Sequence, residues 1–243
     1  ARTSPGRYAL HEFAKNVFDV RITDEAGQAL TVTRPNPHEW DVTGHSGSVR
    51  VTYRVFGDRL DGTYLAIDSS HAHINMPAVI MWARGFERQP ISVRFGRPTG
   101  TSWRGATQLS PGSDGVSFTA PNLQYLMDSP SEFSQFTLGS FTVPRDRRTP
   151  VFRVAVHHTG TDVDVDGLVR DVEAIVREAR HVFGEYPSFE GNTYTFIADY
   201  LPWAHGDGME HRNSTVLTSS STIQSSRLDL LDTVAHEFFH VWN

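Results

Sequence analysis

The sequence has no cysteine. Disulfides and thiolate metal sites are therefore excluded, and any transition metal must be held by histidine and carboxylate. No apolar run is long enough to span a bilayer, so no membrane span is expected. Basic and acidic residues are interspersed, and the formal net charge is −6. That balance argues against nucleic acid as a partner. The chain opens on Ala1 with no start methionine and no signal-peptide pattern, and its compartment is not legible. What it does have is 12 histidines and 243 residues, enough for one large domain or two smaller ones.

Residues 1–157 lack helical periodicity and instead alternate. Val49, Val51, Tyr53 and Val55 share one side of a strand, with Arg50, Thr52 and Arg54 on the other. Ile91, Val93 and Phe95 repeat this, as do Phe136, Leu138, Phe141 and Val143, and then Phe152, Val154 and Val156. Asp61-Gly62, Pro111-Gly112 and Asp114-Gly115 are turn signals between them. One packed and one wet face per strand predicts a β-sandwich-like N-terminal domain. Trp40, Trp82 and Trp103 read as packing residues. His71 and His73 would share a strand face and could grip a metal, but no carboxylate neighbours them in sequence. A surface or structural role is expected.

From residue 158 the period changes. Leu168, Val169, Val172, Ile175, Val176, Ala179, Val182 and Phe183 make an apolar stripe, ended by Gly184 and Pro187. Thr193 to Ile197 and Ser214 to Thr218 read as strands. Asp162, Asp164, Asp166-Gly167 and Glu173 satisfy a calcium-loop formula. The preceding strand and Arg170 favour instead an acidic helix start that suits the helix dipole. A last helix is expected from Ser226, capped by Ser226-x-x-Asp229, and apolar nearly all round, hence buried.

Inside that helix stands His236-Glu237-Phe238-Phe239-His240. Histidines four apart lie on one helix face, one turn apart, where they can grip one zinc ion. Glu237, beside the first, can take a proton from water at the metal as general base. A catalytic zinc needs a third protein ligand. His205, Glu210 and His211 are upstream candidates, and spacing does not choose among them.

Here the chain resembles the glycyl aminopeptidase family of zinc metallopeptidases, gluzincins related to alanyl aminopeptidases. Gly206-Asp207-Gly208-Met209-Glu210-His211 with Arg212-Asn213-Ser214-Thr215 is similar to the family's exopeptidase strand. Val234 to His240 with Val241-Trp242-Asn243 is similar to its zinc helix. Pro5-Gly6-Arg7-Tyr8, Phe13-Ala14-Lys15 and Met127-Asp128-Ser129-Pro130 resemble its N-terminal domain more weakly. The resemblance implies an α+β protein, with residues 1–157 a β-sandwich-like domain and 158–243 the first part of a thermolysin-like zinc peptidase domain. It implies a third ligand, a glutamate about twenty residues past His240 and beyond Asn243. A helical remainder and a PDZ-like domain would follow, and further strands would precede Pro5. Glu210 would hold the free amino terminus of a peptide substrate, Gly208 and Met209 would pair with its backbone, and His211 would assist carbonyl polarisation or only pack. The expected activity is removal of small N-terminal residues such as Gly or Ala, with no turnover and weak zinc affinity in residues 1–243 alone. The competing readings are a zinc endopeptidase and a non-catalytic β-sandwich binding module.

Overall fold

The computed structural model describes residues 11–144 and 149–242; the Pro5–Tyr8 segment and Asn243, both part of the resemblance, lie outside the described residues. The first strands are β1 (Val17–Thr23), β2 (Thr31–Thr33), β3 (Asp41–Thr43) and β4 (Arg50–Val55), which pair as two antiparallel ribbons, β1 with β4 and β2 with β3. Then come β5 (Ala66–Ile67), β6 (His71–Ile74), α1 (Met76–Val79), β7 (Ile91–Arg94), β8 (Arg104–Thr107), β9 (Ser110–Pro111), β10 (Ser117–Ala120), α2 (Leu123–Met127) and β11 (Ser131–Ser134). They form a four-stranded sheet in the order β5-β6-β11-β8 and a three-stranded sheet β7-β10-β9. Phe13, Met76, Trp103, Phe118, Leu126 and Phe133 fill the core between them. Trp103 packs as expected, whereas Trp82 is largely exposed.

The remainder is β12 (Thr137–Thr142), β13 (Val151–His158), α3 (Asp162–Phe183), β14 (Thr193–Tyr200), β15 (Asp207–His211), β16 (Ser214–Ser219) and α4 (Ile223–Phe239), tightening into a 3-10 turn at His240–Trp242. Its five strands make one sheet in the order β12-β13-β14-β16-β15. The inner pairs β13/β14 and β14/β16 are parallel and the outer pairs antiparallel. Thus β12 and β13, which alternate like the strands before them, pair in this second sheet. Alternation reveals which face of a strand is buried, not which strand lies beside it.

The sheet is covered on both sides, which suits parallel strands. On β14, Tyr194, Phe196, Ala198 and Tyr200 pack under α3 and α4 with Phe152, Val165, Leu168, Val172 and Phe238. The alternate residues face the N-terminal part: Ile197 packs with Ala106 and Phe136, and Thr195 Oγ1 bonds to Gln108 Oε1 at 3.1 Å. Arg153 Nη2 donates to Thr107 O at 3.0 Å across the same interface. The N-terminal four-stranded sheet, the second sheet and the helix pair therefore form three layers.

Helix α3 starts as a capped helix, and this decides against the calcium loop. Thr161 and Asp164 form a reciprocal capping box, with Asp164 Oδ2 accepting from Thr161 N at 3.0 Å. Asp162, Asp164 and Asp166 then sit in helical turns, where their carboxylates fan outward instead of converging. The helix ends at Gly184, whose φ of 83° only glycine adopts cheaply.

Helix α4 begins earlier than expected. Thr222 is its cap, accepting from Ser225 N at 3.2 Å, and Ser226 marks a kink inside it. Nor is it buried all round. Leu230, Val234 and Phe238 face the core, while Leu228 and Phe239 are exposed.

Candidate metal and substrate site

Phe238 fixes the rotation of α4. Its side chain is 0% exposed and packs against Tyr194, Phe196 and Phe152 at centroid distances of 5.2, 5.7 and 5.9 Å. Burying a phenylalanine there stabilises by about 1.5–3 kcal/mol. Trp242 secures the helix end, stacked on Phe183 at 4.3 Å and edge-on to Phe238 at 5.3 Å. With Phe238 inward, His236 and His240 present rings to each other one turn apart, centroids 5.1 Å. Glu237 lies between them in the chain and is buried, its Oε1 3.9 Å from His236 Nε2.

Strand β15 supplies the facing wall by simple alternation. One set of its side chains is fastened to the N-terminal part. Asp207 Oδ2 accepts from Gly62 N at 3.0 Å, so the turn expected at Asp61-Gly62 is a docking point. Met209 is buried, and a Cβ on Gly62 would lie only 2.7 Å from Met209 Cβ. His211 Nδ1 bonds to Asp128 Oδ1 at 2.9 Å. The structure thus turns Met209 and His211 away from the helix. Through Nδ1, His211 holds Asp128, within the Met127–Pro130 segment.

The other set, Gly208 and Glu210, faces α4. Gly208 has no side chain because Glu237 fills the space: a Cβ there would meet Glu237 Cδ at 2.6 Å and Cγ at 2.7 Å. Glu210, Glu237 and His240 each bring a ligand atom within 4.8 Å of the others. Beneath them Tyr194 is fully buried. Burial first, and then the Glu237 and Glu210 carboxylates, push its hydroxyl well above the ordinary tyrosine range. A cleft of 280 Å³ opens at Gly208, lined also by Gly206 and Asp207 on one side and by Asp229, Leu230 and Thr233 on the other. Imidazoles and carboxylates without thiolate form a donor set that suits zinc. His205 stays exposed and outside this group.

Residues 1–135 match the Peptidase M61 N-terminal domain, more than half of the chain. The chain belongs to the M61 peptidase family. The M61 chain also resembles the aminopeptidase N family protein from Idiomarina loihiensis, with a TM-score of 0.80 and 22% identity over 98% of this chain and 41% of that one. Legionella pneumophila aminopeptidase A, solved in complex with aspartic acid, superposes with a TM-score of 0.55 and 12% identity, over 93% of this chain and 29% of that one. At these identities the likeness speaks to the fold, and the M61 chain spans less than half the length of either structure. No curated protein matches its sequence.

Three functional-type residues escaped the sequence reading: Glu132, His157 and Asp199. They gather around His71 and His73, which are 0% and 1% exposed. Their burial rules out the surface role, and although no carboxylate stands beside them in sequence, β11 and β14 bring Glu132 and Asp199 to them from far along the chain. One signal was present. Asp199 interrupts the otherwise apolar run Phe196-Ile197-Ala198, and a charge inside a strand buried on both faces demands a partner.

Proposed function

We propose that the chain carries the amino-end recognition strand and the zinc helix of a metallo-aminopeptidase that removes small N-terminal residues, Gly or Ala, from peptides. The observation that carries this is the convergence of Glu210, Glu237 and His240 across the β15–α4 junction. His236 and His240 would hold the zinc, with a third ligand from residues after Asn243, as the resemblance to glycyl aminopeptidases implies. Zinc, when bound, supplies a Lewis acid that polarises the scissile carbonyl and acidifies the attacking water.

The chain's own groups do the rest. Glu237 takes the proton of the attacking water and passes it to the departing amine. Its burial against Gly208 gives it one position. Glu210 accepts charge-assisted hydrogen bonds from the substrate ammonium group, which sets the first peptide bond at a fixed distance from His240. Among the described residues β15 is an outer strand with β16 on one side only. Its free edge is suited to pairing with an extended peptide. The preference for Gly or Ala rests on the resemblance of the 206–215 segment.

The test is dependence on the free amine. The full-length protein should hydrolyse Ala-p-nitroanilide and leave its N-acetyl counterpart intact. Glu210→Ala should lower kcat/KM by about 10- to 100-fold, the worth of a charged hydrogen bond, with zinc retained. Loss of zinc in that variant would make Glu210 a ligand instead. Cleavage of acetylated peptides would make the protein an endopeptidase and end the aminopeptidase reading.

A further inference from the structure

The second cluster lies at the interface of the two sheets, on the face of β14 opposite the helices. Backbone register builds it. His157 on β13 is paired with Asp199 on β14. On the facing sheet, Glu132 of β11 is paired with His73 of β6, and Ser134 with His71. His71, His73, Glu132 and Asp199 are all 0–1% exposed. Only the side chain of His157, 13% exposed, reaches the rim. An uncompensated buried charge is strongly destabilising. Something must balance two carboxylates here.

The distances distinguish what that is. His71 Nδ1 lies 3.4 Å from Glu132 Oε1 and 3.7 Å from Asp199 Oδ1. His157 Nδ1 lies 3.7 Å from Glu132 Oε1 and 3.4 Å from Asp199 Oδ1. The same four atoms recur in every pair, and none of them has a hydrogen-bond partner. These separations exceed the ordinary hydrogen-bond range of about 2.7–3.2 Å. They are close to the edge of a tetrahedron, about 3.3–3.4 Å, drawn around an ion with ligands at about 2.0–2.1 Å. Two neutral imidazoles and two carboxylates also cancel the charge of a divalent cation. Outside the four, His73 Nδ1 bonds to Asp199 Oδ2 at 2.8 Å and Asp68 Oδ2 lies 3.5 Å from His71 Nε2. Such outer partners orient metal ligands.

We propose that His71, Glu132, His157 and Asp199 form a closed, structural site for a divalent transition-metal ion of the zinc type, clamping the N-terminal sheet to the second sheet. Four protein ligands and no open position mark it as structural. The alternative is a pair of bound protons. Burial opposes charge on His71 and His73, but the neighbouring Asp199 and Glu132 carboxylates outweigh it, lifting them to about 10 and about 9. Protons would satisfy the charge while leaving the four donor atoms too far apart to bond.

The site is independent of the peptidase reading, and its test removes that reading's metal. The full-length His236→Ala/His240→Ala protein is purified without added metal or chelator and its metal content measured. One equivalent of zinc should remain. X-ray absorption should show nitrogen and oxygen neighbours at about 2.0 Å. Adding His157→Gln, at the rim, should bring the zinc to background. Should that variant fail to fold, chelation of the double variant serves instead, expected to lower Tm and zinc to restore it. A metal-free double variant whose Tm ignores both chelator and zinc would overturn the proposal and leave the protonated pair.

Discussion

The two histidine–carboxylate clusters are built in opposite ways. At the β15–α4 junction the groups are local in sequence and open in space: the His236 side chain is 69% exposed, and a cleft opens at Gly208, the residue packed against Glu237. At the sheet interface they are scattered from His71 to Asp199 and sealed, with three of four ligand side chains at 0–1% exposure. A reacting centre needs room for substrate and a vacant coordination position, whereas a clamp needs neither. On the two proposals, the same residue types serve different ends according to what surrounds them.

Perturbing each cluster sharpens this contrast. Glu237→Ala should lower kcat of the full-length protein by about 10³-fold, the scale of general-base catalysis, with zinc content unchanged. A comparable loss of folded protein would place Glu237 in the structural class instead. Gly208→Ala should be next, because its methyl group must displace Glu237. A shift of about 1 Å at a catalytic group costs on the order of 10²-fold. Steady-state kinetics should show the loss in kcat, while Tm moves little. Thr222→Ala removes the cap of α4 and should cost about 1 kcal/mol in urea denaturation, with kcat nearly intact. A large kcat change there would mean that the helix start beyond the Ser226 kink steers the site.

The open cluster was legible because its spacing is helical. His236 and His240 meet on one face of any helix, and the strong apolar period around them identified the helix. The edge strand β15 was legible only through resemblance, since Gly208 leaves no alternation to read. The sealed cluster was not legible. His71, Glu132, His157 and Asp199 come together through strand register across two sheets, which no local pattern encodes. The calcium formula at Asp162–Glu173 shows the converse case, in which the acidic helix start favoured over the loop is what the structure has. A matched spacing carries no chemistry when Thr161 caps those residues into a helix. The cap of α4 was misplaced because Ser226, at the kink, and Thr222 are both good capping residues, and packing chose the earlier one.

Anomalous diffraction at the zinc edge, from crystals of the full-length protein, tests the central contrast most directly. Two peaks are expected, one beside the His236 and His240 imidazoles and one enclosed by His71, Glu132, His157 and Asp199. A map with no density at the helix histidines would contradict the peptidase assignment, and one with none between the sheets would contradict the clamp.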